Sequence, residues 1–356
     1  MFGIKHHPDL GSAPLFRRKT PMLTFIIRRL LMAIPTLLLI SAVIFFLVDF
    51  APGSPMSDIP LTVPPEVKLK MMAAMGADQP VIVRYLLWLR QFFYVEPLNA
   101  IDAIFGTSFA QGMQRIISYQ NHSPVFMMIG QRIPQTLIVV GSAYILGVMI
   151  ALPIGIYSAY RQYSWFDQFG TFFAMIGFSV PTFFSGTILI LIFAVWLGWF
   201  PTKYNTNLQV TDWASFWAQI RQMAMPVMTL GLANAAVLSR YTRSSILENL
   251  GQDYVRTARA KGMTEPVVVL KHVLRNSLIP VVTIIALGIP SIFGGAIITE
   301  NLFGVSGIGA ALIGAIAAND LPTVQTLTFI FAILIVAFNL IADVMYGLLD
   351  PRIRYD

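Results

Sequence analysis

Residues 251–276 read GQDYVRTARAKGMTEPVVVLKHVLRN. This polar, basic stretch has room for two short helices and lies between long apolar runs. A chain that keeps so much charge in one loop offers a docking surface at one face of a membrane. Asp253 suits the start of the first helix, where a carboxylate meets the positive end of the dipole. Tyr254, Ala258 and Gly262 recur at i, i+4 and i+8, so one face is expected to offer an aromatic knob beside small residues. Arg256 and Arg259 fall largely on another face. Gly262 fits the terminating position after the helix. Thr264 can cap a second helix, with Pro266 in its first turn. There Val267, Leu270 and Leu274 form an apolar stripe, and Lys271 and Arg275 a basic one. The run Val267-Val268-Val269 argues for a strand instead. An interfacial helix whose charges only hold topology explains the basic residues equally well.

The rest of the chain sets the context. It is 56% hydrophobic and 12% charged, with a mean hydropathy of +0.70, whereas a soluble domain carries roughly a quarter charged residues. Apolar runs at 26–50, 136–160, 171–197, 223–238, 278–298 and 324–349 approach or exceed the ~20 residues needed to cross a bilayer. The fourth is short and interrupted by Pro226, Gly231 and Asn234. Counting it gives an all-α membrane protein with six transmembrane helices and both ends on one side. The first run exceeds the ~7–15 residues of a signal-peptide core and reads as an uncleaved span. Arg17, Arg18, Lys19, Arg28 and Arg29 precede it or open it. Arg240, Arg243, Arg256, Arg259, Lys261, Lys271 and Arg275 occupy the 240–277 loop, while 301–323 has no Lys or Arg. By the positive-inside rule both termini and the basic loop are cytoplasmic. The expected organisation is an N-terminal extension (1–24), a first span (25–50), a periplasmic subdomain (51–128) with short amphipathic helices at 66–75 and 82–93, a five-span core (129–350) and a tail (351–356).

The net charge of +7 follows from these flanks and does not argue for nucleic acid. With no cysteine, thiolate metal sites, disulfides and cysteine nucleophiles are excluded. The four histidines lack ligand spacing, so no metal is expected. No GxxxxGK[ST] loop occurs, so ATP and magnesium would be bound by partner subunits and no cofactor by this chain. No nucleophile–base pair marks a catalytic residue. Gly288, Ser291 and Gly295 lie at i, i+3 and i+7 on span five; close helix packing and a bendable pathway-lining helix both fit them. Asn234, on the interrupted fourth span, shares that character. Asp49, Asp343 and Glu300 lie near span ends, where capping or an ion pair is expected; Glu300 also has a place beside an external gate, where it could meet substrate. The phenylalanines Phe172, Phe173, Phe178, Phe183 and Phe184 suit lipid or packing, and Trp196 and Trp199 an interfacial belt.

Several motifs carry a family resemblance. Tyr254-Val-Arg-Thr-Ala-Arg-Ala-Lys-Gly262 resembles the EAA loop of ABC importer permeases, in the form of the dipeptide/oligopeptide family. Arg28-Arg29-Leu-Leu leading to Ala51-Pro-Gly-Ser, Arg132-Ile-Pro-Gln-Thr-Leu137, Ser179-Val-Pro-Thr-Phe-Phe-Ser-Gly186, Glu300-Asn-Leu-Phe-Gly-Val-Ser-Gly-Ile-Gly309 and Asp350-Pro-Arg-Ile-Arg-Tyr355 are similar to further signatures of that family. Arg256 stands where the general loop has Glu, and Arg275 where it has Pro; the peptide form shares both departures. The resemblance covers about residues 22–355. It implies the type I importer permease fold, a heterodimer with a second homologous permease, two cytoplasmic ATPase subunits, a periplasmic or surface binding protein, and a bacterial inner (cytoplasmic) membrane location. It implies that Asp253, Tyr254, Val255, Arg256, Thr257, Ala258, Arg259, Ala260, Lys261 and Gly262 form an ATPase-coupling helix, and that cargo is a peptide, with nickel, glutathione, an opine or a sugar conjugate as alternatives. A self-sufficient secondary transporter is the rival from another class; it would place ionisable groups deep within the spans, whose centres here are nearly free of charge.

Overall fold

The computed structural model describes residues 22–50, 66, 79–293 and 296–349. The expected helix at 66–75, residues 1–21, the tail from 350, and Gly294 and Gly295 lie outside the described residues.

Eleven helical elements follow one another among the described residues, which form no strand: α1 (Met22–Asp49), α2 (81–105), α3 (Val125–Tyr160), α4 (Trp165–Ser179), α5 (Thr182–Trp196), α6 (Trp213–Leu250), α7 (Asp253–Ala260), α8 (265–293), α9 (Ile297–Phe303), α10 (Ile308–Ala317) and α11 (Leu321–Leu349). Five helices are long and apolar enough to cross a membrane; treating each bent pair as one span raises the number to seven.

The central unit is the pairing of α3 with α6, and glycine is its cause. A Cβ added at Gly147 would lie 2.9 Å from Asn234 Cβ, and one at Gly155 would lie 2.6 Å from Thr242 Cβ. Only a missing side chain lets the two backbones approach so closely. Both helices outrun the spans expected at 136–160 and 223–238. Polar turns extend α6 at each end, from a capping box at Asp212 and Ser215 to Leu250, so the basic loop shortens from 240–277 to the stretch around α7.

Proline and glycine reshape two expected segments. The run at 171–197 is not one straight span: α4 and α5 meet at 104°. Pro181 lacks an N–H and drives Val180 into an extended conformation (ψ 123°), which breaks the ladder. The 301–323 stretch is not a plain loop either. Gly304, at φ +71°, ends α9, and α10 leaves it at 88°. Ten residues rise only about 15 Å, too little to cross a core of ~30 Å.

The helix expected at 82–93 runs on to Phe105 through a π turn at Gln91–Val95, just before Pro97, whose missing N–H interrupts the regular ladder. An aromatic cluster fastens α2 to α1 and α11: Trp88 lies 5.3 Å from Phe329, and Phe92 lies 4.9 Å from it. Acids expected at helix ends are paired. Asp49 meets Arg84 at 2.7 Å and Asp343 meets Arg29 at 2.8 Å.

Candidate functional site

The short helix α7 lies across the end of the bundle. Its first turn carries Asp253. Its last turn closes when Gly262 N–H donates to Arg259 O at 2.9 Å and Met263 N–H to Ala258 O at 3.4 Å, the paired bonds of a Schellman end. Gly262 sits at φ +78°, and a Cβ there would meet nothing within 4 Å. The glycine is thus required by backbone conformation, and the space beside it is open.

Val255 and Ala258 face inward, packed with Ala159 at the end of α3, Ile246 of α6 and Val268 and Val273 of α8. The helix is therefore seated on three membrane helices at once. Asp253, Tyr254, Arg256, Thr257, Arg259, Ala260, Lys261 and Gly262 are exposed. This corrects the expected knob-and-small face, because Ala258 points into the chain's own core and Tyr254 donates its hydroxyl to Asn249 Oδ1 at 2.7 Å. The outward face is a polar, cationic one with Gly262 at its end.

The second helix forms despite its valines, since tertiary burial outweighs strand propensity. Its inward residues are Val268, Val269 and Val273, while Val267 and Leu270 are exposed. The stripe shifts because a π turn at Val268–Val273 breaks the 3.6 period. Thr264 stands at the cap position without a side-chain cap bond. Arg259 instead joins the two helices through Glu265, at 2.6 and 3.1 Å.

The five pathway candidates are not alike. Asn234 is exposed on α6. Gly288 faces Tyr144, whose hydroxyl donates to Ile285 O at 2.5 Å, and an added Cβ would run into that hydroxyl, so close packing accounts for this glycine. Ser291 lies on α8, and Gly295 falls outside the described residues.

Glu300 is 1% exposed and enclosed by its own chain. Its Oε1 accepts from Thr136 Oγ1 at 2.8 Å, and its Oε2 from Ala310 N–H at 3.0 Å. Thr136 Oγ1 accepts in turn from Ile308 N–H at 2.8 Å. A Cβ at Gly309 would stand 2.9 Å from Oε2, and one at Gly307 would overlap the carboxylate. The Glu300–Gly309 motif is therefore a turn wrapped on a buried acid, and Thr136 of the Arg132–Leu137 motif completes it. The capping expectation holds, while the accessible position beside a gate does not: this carboxylate meets backbone N–H groups.

Sequence reading missed a further site on α4. Arg243 Nε donates to Asp167 Oδ1 at 2.6 Å, and Nη2 to Oδ2 at 2.8 Å. The two residues are 76 positions apart, and no local spacing could have paired them. On α2's side, a cavity of about 400 Å³ is lined by Asp49, Arg84, Trp88, Tyr119 and Gln325.

These features define a membrane-embedded helical protein that exposes a short basic helix seated on its spans. Comparison with known families agrees on the membrane class. The model of the binding-protein-dependent transport system inner membrane component matches residues 151–355, and its N-terminal counterpart matches 22–140. The chain belongs to this family. It is similar to the oligopeptide transport system permease protein AppB of Bacillus subtilis, with 39% identity over 94% of this chain and all of that protein. It also resembles the dipeptide permease DppB of Lactococcus lactis and the glutathione permease GsiC of Salmonella typhimurium, each at 35% identity over 94% of this chain and all of theirs.

Proposed function

We propose that this chain is one of two permease subunits in an ATP-driven importer of short peptides, and that α7 is its ATPase-coupling helix. Counting α4 and α5 as one bent span and α9–α10 as a re-entrant turn gives six spans: α1, α3, α4–α5, α6, α8 and α11. Both termini and α7 then lie on the cytoplasmic side. The α2 segment lies on the opposite side, where a binding protein delivers cargo. A second permease completes the pathway, and two ATPase subunits bind ATP and magnesium.

One observation carries the coupling role: α7 exposes a polar face that none of the chain's described residues covers, while Val255 and Ala258 anchor it to α3, α6 and α8. A push on that face moves three membrane helices together, because close-packed interiors shift as units and do not deform gradually. Alternating access follows when ATPase closure supplies the push. Peptide cargo rests on the likeness to the AppB and DppB proteins, and the likeness to GsiC favours glutathione, itself a small peptide, as the second reading. The secondary-transporter alternative gains nothing, since the acids Glu300 and Asp167 are held by backbone and arginine within the fold.

Gly262→Val tests the coupling role. Its Cβ meets no neighbour within the chain, and the strain at φ +78° falls on an exposed turn. The complex should therefore assemble while uptake falls well below that of the unaltered complex and ATP hydrolysis persists. Gly262→Ala, with less strain, should give a smaller loss in the same direction. Unchanged uptake removes the docking role. Mass spectrometry of the ligand that co-purifies with the cognate binding protein decides between peptide and glutathione.

A further inference from the structure

α4 is held to the bundle in an unusual way. Of its fifteen residues only Asp167 is buried, while Phe166, Phe169, Phe172, Phe173, Ile176 and Phe178 are exposed. Its other contacts are smooth. A Cβ at Gly170 would lie 3.2 Å from Ser158 Oγ, and one at Gly177 would lie 2.8 Å from Ala236 Cβ. Phe166 meets Tyr157 edge to face at 4.8 Å, and Arg240 lies over the Phe178 ring at 4.8 Å. No large side chain of α4 is buried, however, so the helix rests on α3 and α6 through small residues and a few rim contacts.

An ion pair fixes one end beside that Tyr157–Phe166 contact. Arg243 grips Asp167 with both nitrogens, at 2.6 and 2.8 Å. Asp167 Oδ2 also accepts from Tyr163 N–H at 2.9 Å, and Asp167 N–H donates to Ser164 Oγ at 3.3 Å. Tyr163 is held at φ +62°, a conformation rare for a residue with a side chain. The pair thus ties the turn after α3, the start of α4 and α6 into one knot. Asp167 is buried while Arg243 keeps 27% of its side chain exposed. Such a pair adds little net stability compared with apolar packing, yet removing the arginine strands a buried carboxylate, which is costly. The pair keeps two elements attached at one point while the rest of their contact runs through small residues and the Arg240–Phe178 contact.

The knot lies beside the seat of α7. Arg243 is one turn before Ile246 on α6, and Ile246 packs on Val255 and Ala258. The 104° bend at the far end of α4 supplies the other end of a lever. We propose that the Asp167–Arg243 pair is the joint through which displacement of α7 reaches the bent α4–α5 segment. Both residues act as positioning residues for transport, and neither touches cargo. The proposal rests on the coupling role of α7 argued above.

The test uses the full complex with its ATPases, binding protein and partner permease in lipid. Asp167→Asn and Arg243→Gln should each raise the ATP consumed per molecule imported several-fold. Arg243→Lys, which keeps the charge without the two-point grip, should fall between. The reversed pair, Asp167→Arg with Arg243→Asp, should recover part of the lost coupling. The ratio is read per assembled complex, because a merely structural role would change the amount assembled and not the ATP consumed per molecule imported. An unchanged ratio in the single variants overturns the joint. So does a parallel loss of hydrolysis and uptake that the reversed pair leaves uncorrected.

A measurement with the pair intact covers variants that fail to assemble. The chain has no cysteine, so spin labels at Phe166→Cys and Leu270→Cys report one distance. That distance should stay narrowly distributed through the nucleotide cycle, and a wide or nucleotide-dependent spread overturns the joint. If Gly262→Val leaves uptake intact, the coupling reading itself falls. If Gly262→Val uncouples while the pair variants do not, only the joint falls.

Discussion

The turn after α7 and the turn after α9 look alike in outline and differ in what surrounds them. Both end a short helix on a left-handed glycine, Gly262 at φ +78° and Gly304 at φ +71°, and both lead into a second helix. The first has open space beside it; the second closes over the Glu300 carboxylate, with Gly307 and Gly309 backed against the acid. A positive-φ glycine alone therefore says only that a helix stops. Whether the turn is a surface to be touched or a rigid wall depends on what fills the volume next to it.

Three substitutions sharpen that contrast, beginning with the largest expected effect. Gly307→Ala drives a methyl into the Glu300 carboxylate and should destabilise the folded protein by about 3 kcal/mol or more, at or above the top of the usual overpacking range. Thermal unfolding in detergent measures it. Glu300→Ala in the same background should recover part of the loss, because the two changes share one volume and do not add. If Gly307→Ala unfolds like the unaltered protein, the wrapped-turn account is wrong.

Gly262→Ala should cost only about 1–2 kcal/mol, the left-handed backbone penalty for a residue with a Cβ, with no clash added. A loss as large as that at Gly307 would show that the space beside α7 is not open. Smallest is Arg259→Gln, which removes an exposed ion pair with Glu265 and should cost about 0.2–1 kcal/mol. Its melting shift should shrink further as salt is added. A salt-independent loss would mean that the pair does more than join α7 to α8.

The α7 region was largely legible because its signals are local. Asp253 at the helix start and Gly262 at its end act through neighbouring peptide groups, and the structure places both where those rules put them. The inward residues were misread for two reasons. Ala258 serves the chain's own core, and the π turn at Val268–Val273 moves burial from Val267 and Leu270 to Val268, Val269 and Val273. The bend at Pro181 was written in the sequence as a proline, yet apolar length across 171–197 masked it. The Asp167–Arg243 knot left no local trace.

The sequence by itself determined the membrane class and the place of the short basic helix α7, including where it starts and stops. Apolar length, net charge and backbone restriction at proline and glycine act within a few residues. Tertiary structure alone decided which face of α7 is free, that Glu300 is enclosed, and that Asp167 finds Arg243. Those outcomes depend on which distant side chain occupies a given volume, a property that no local window of the chain contains.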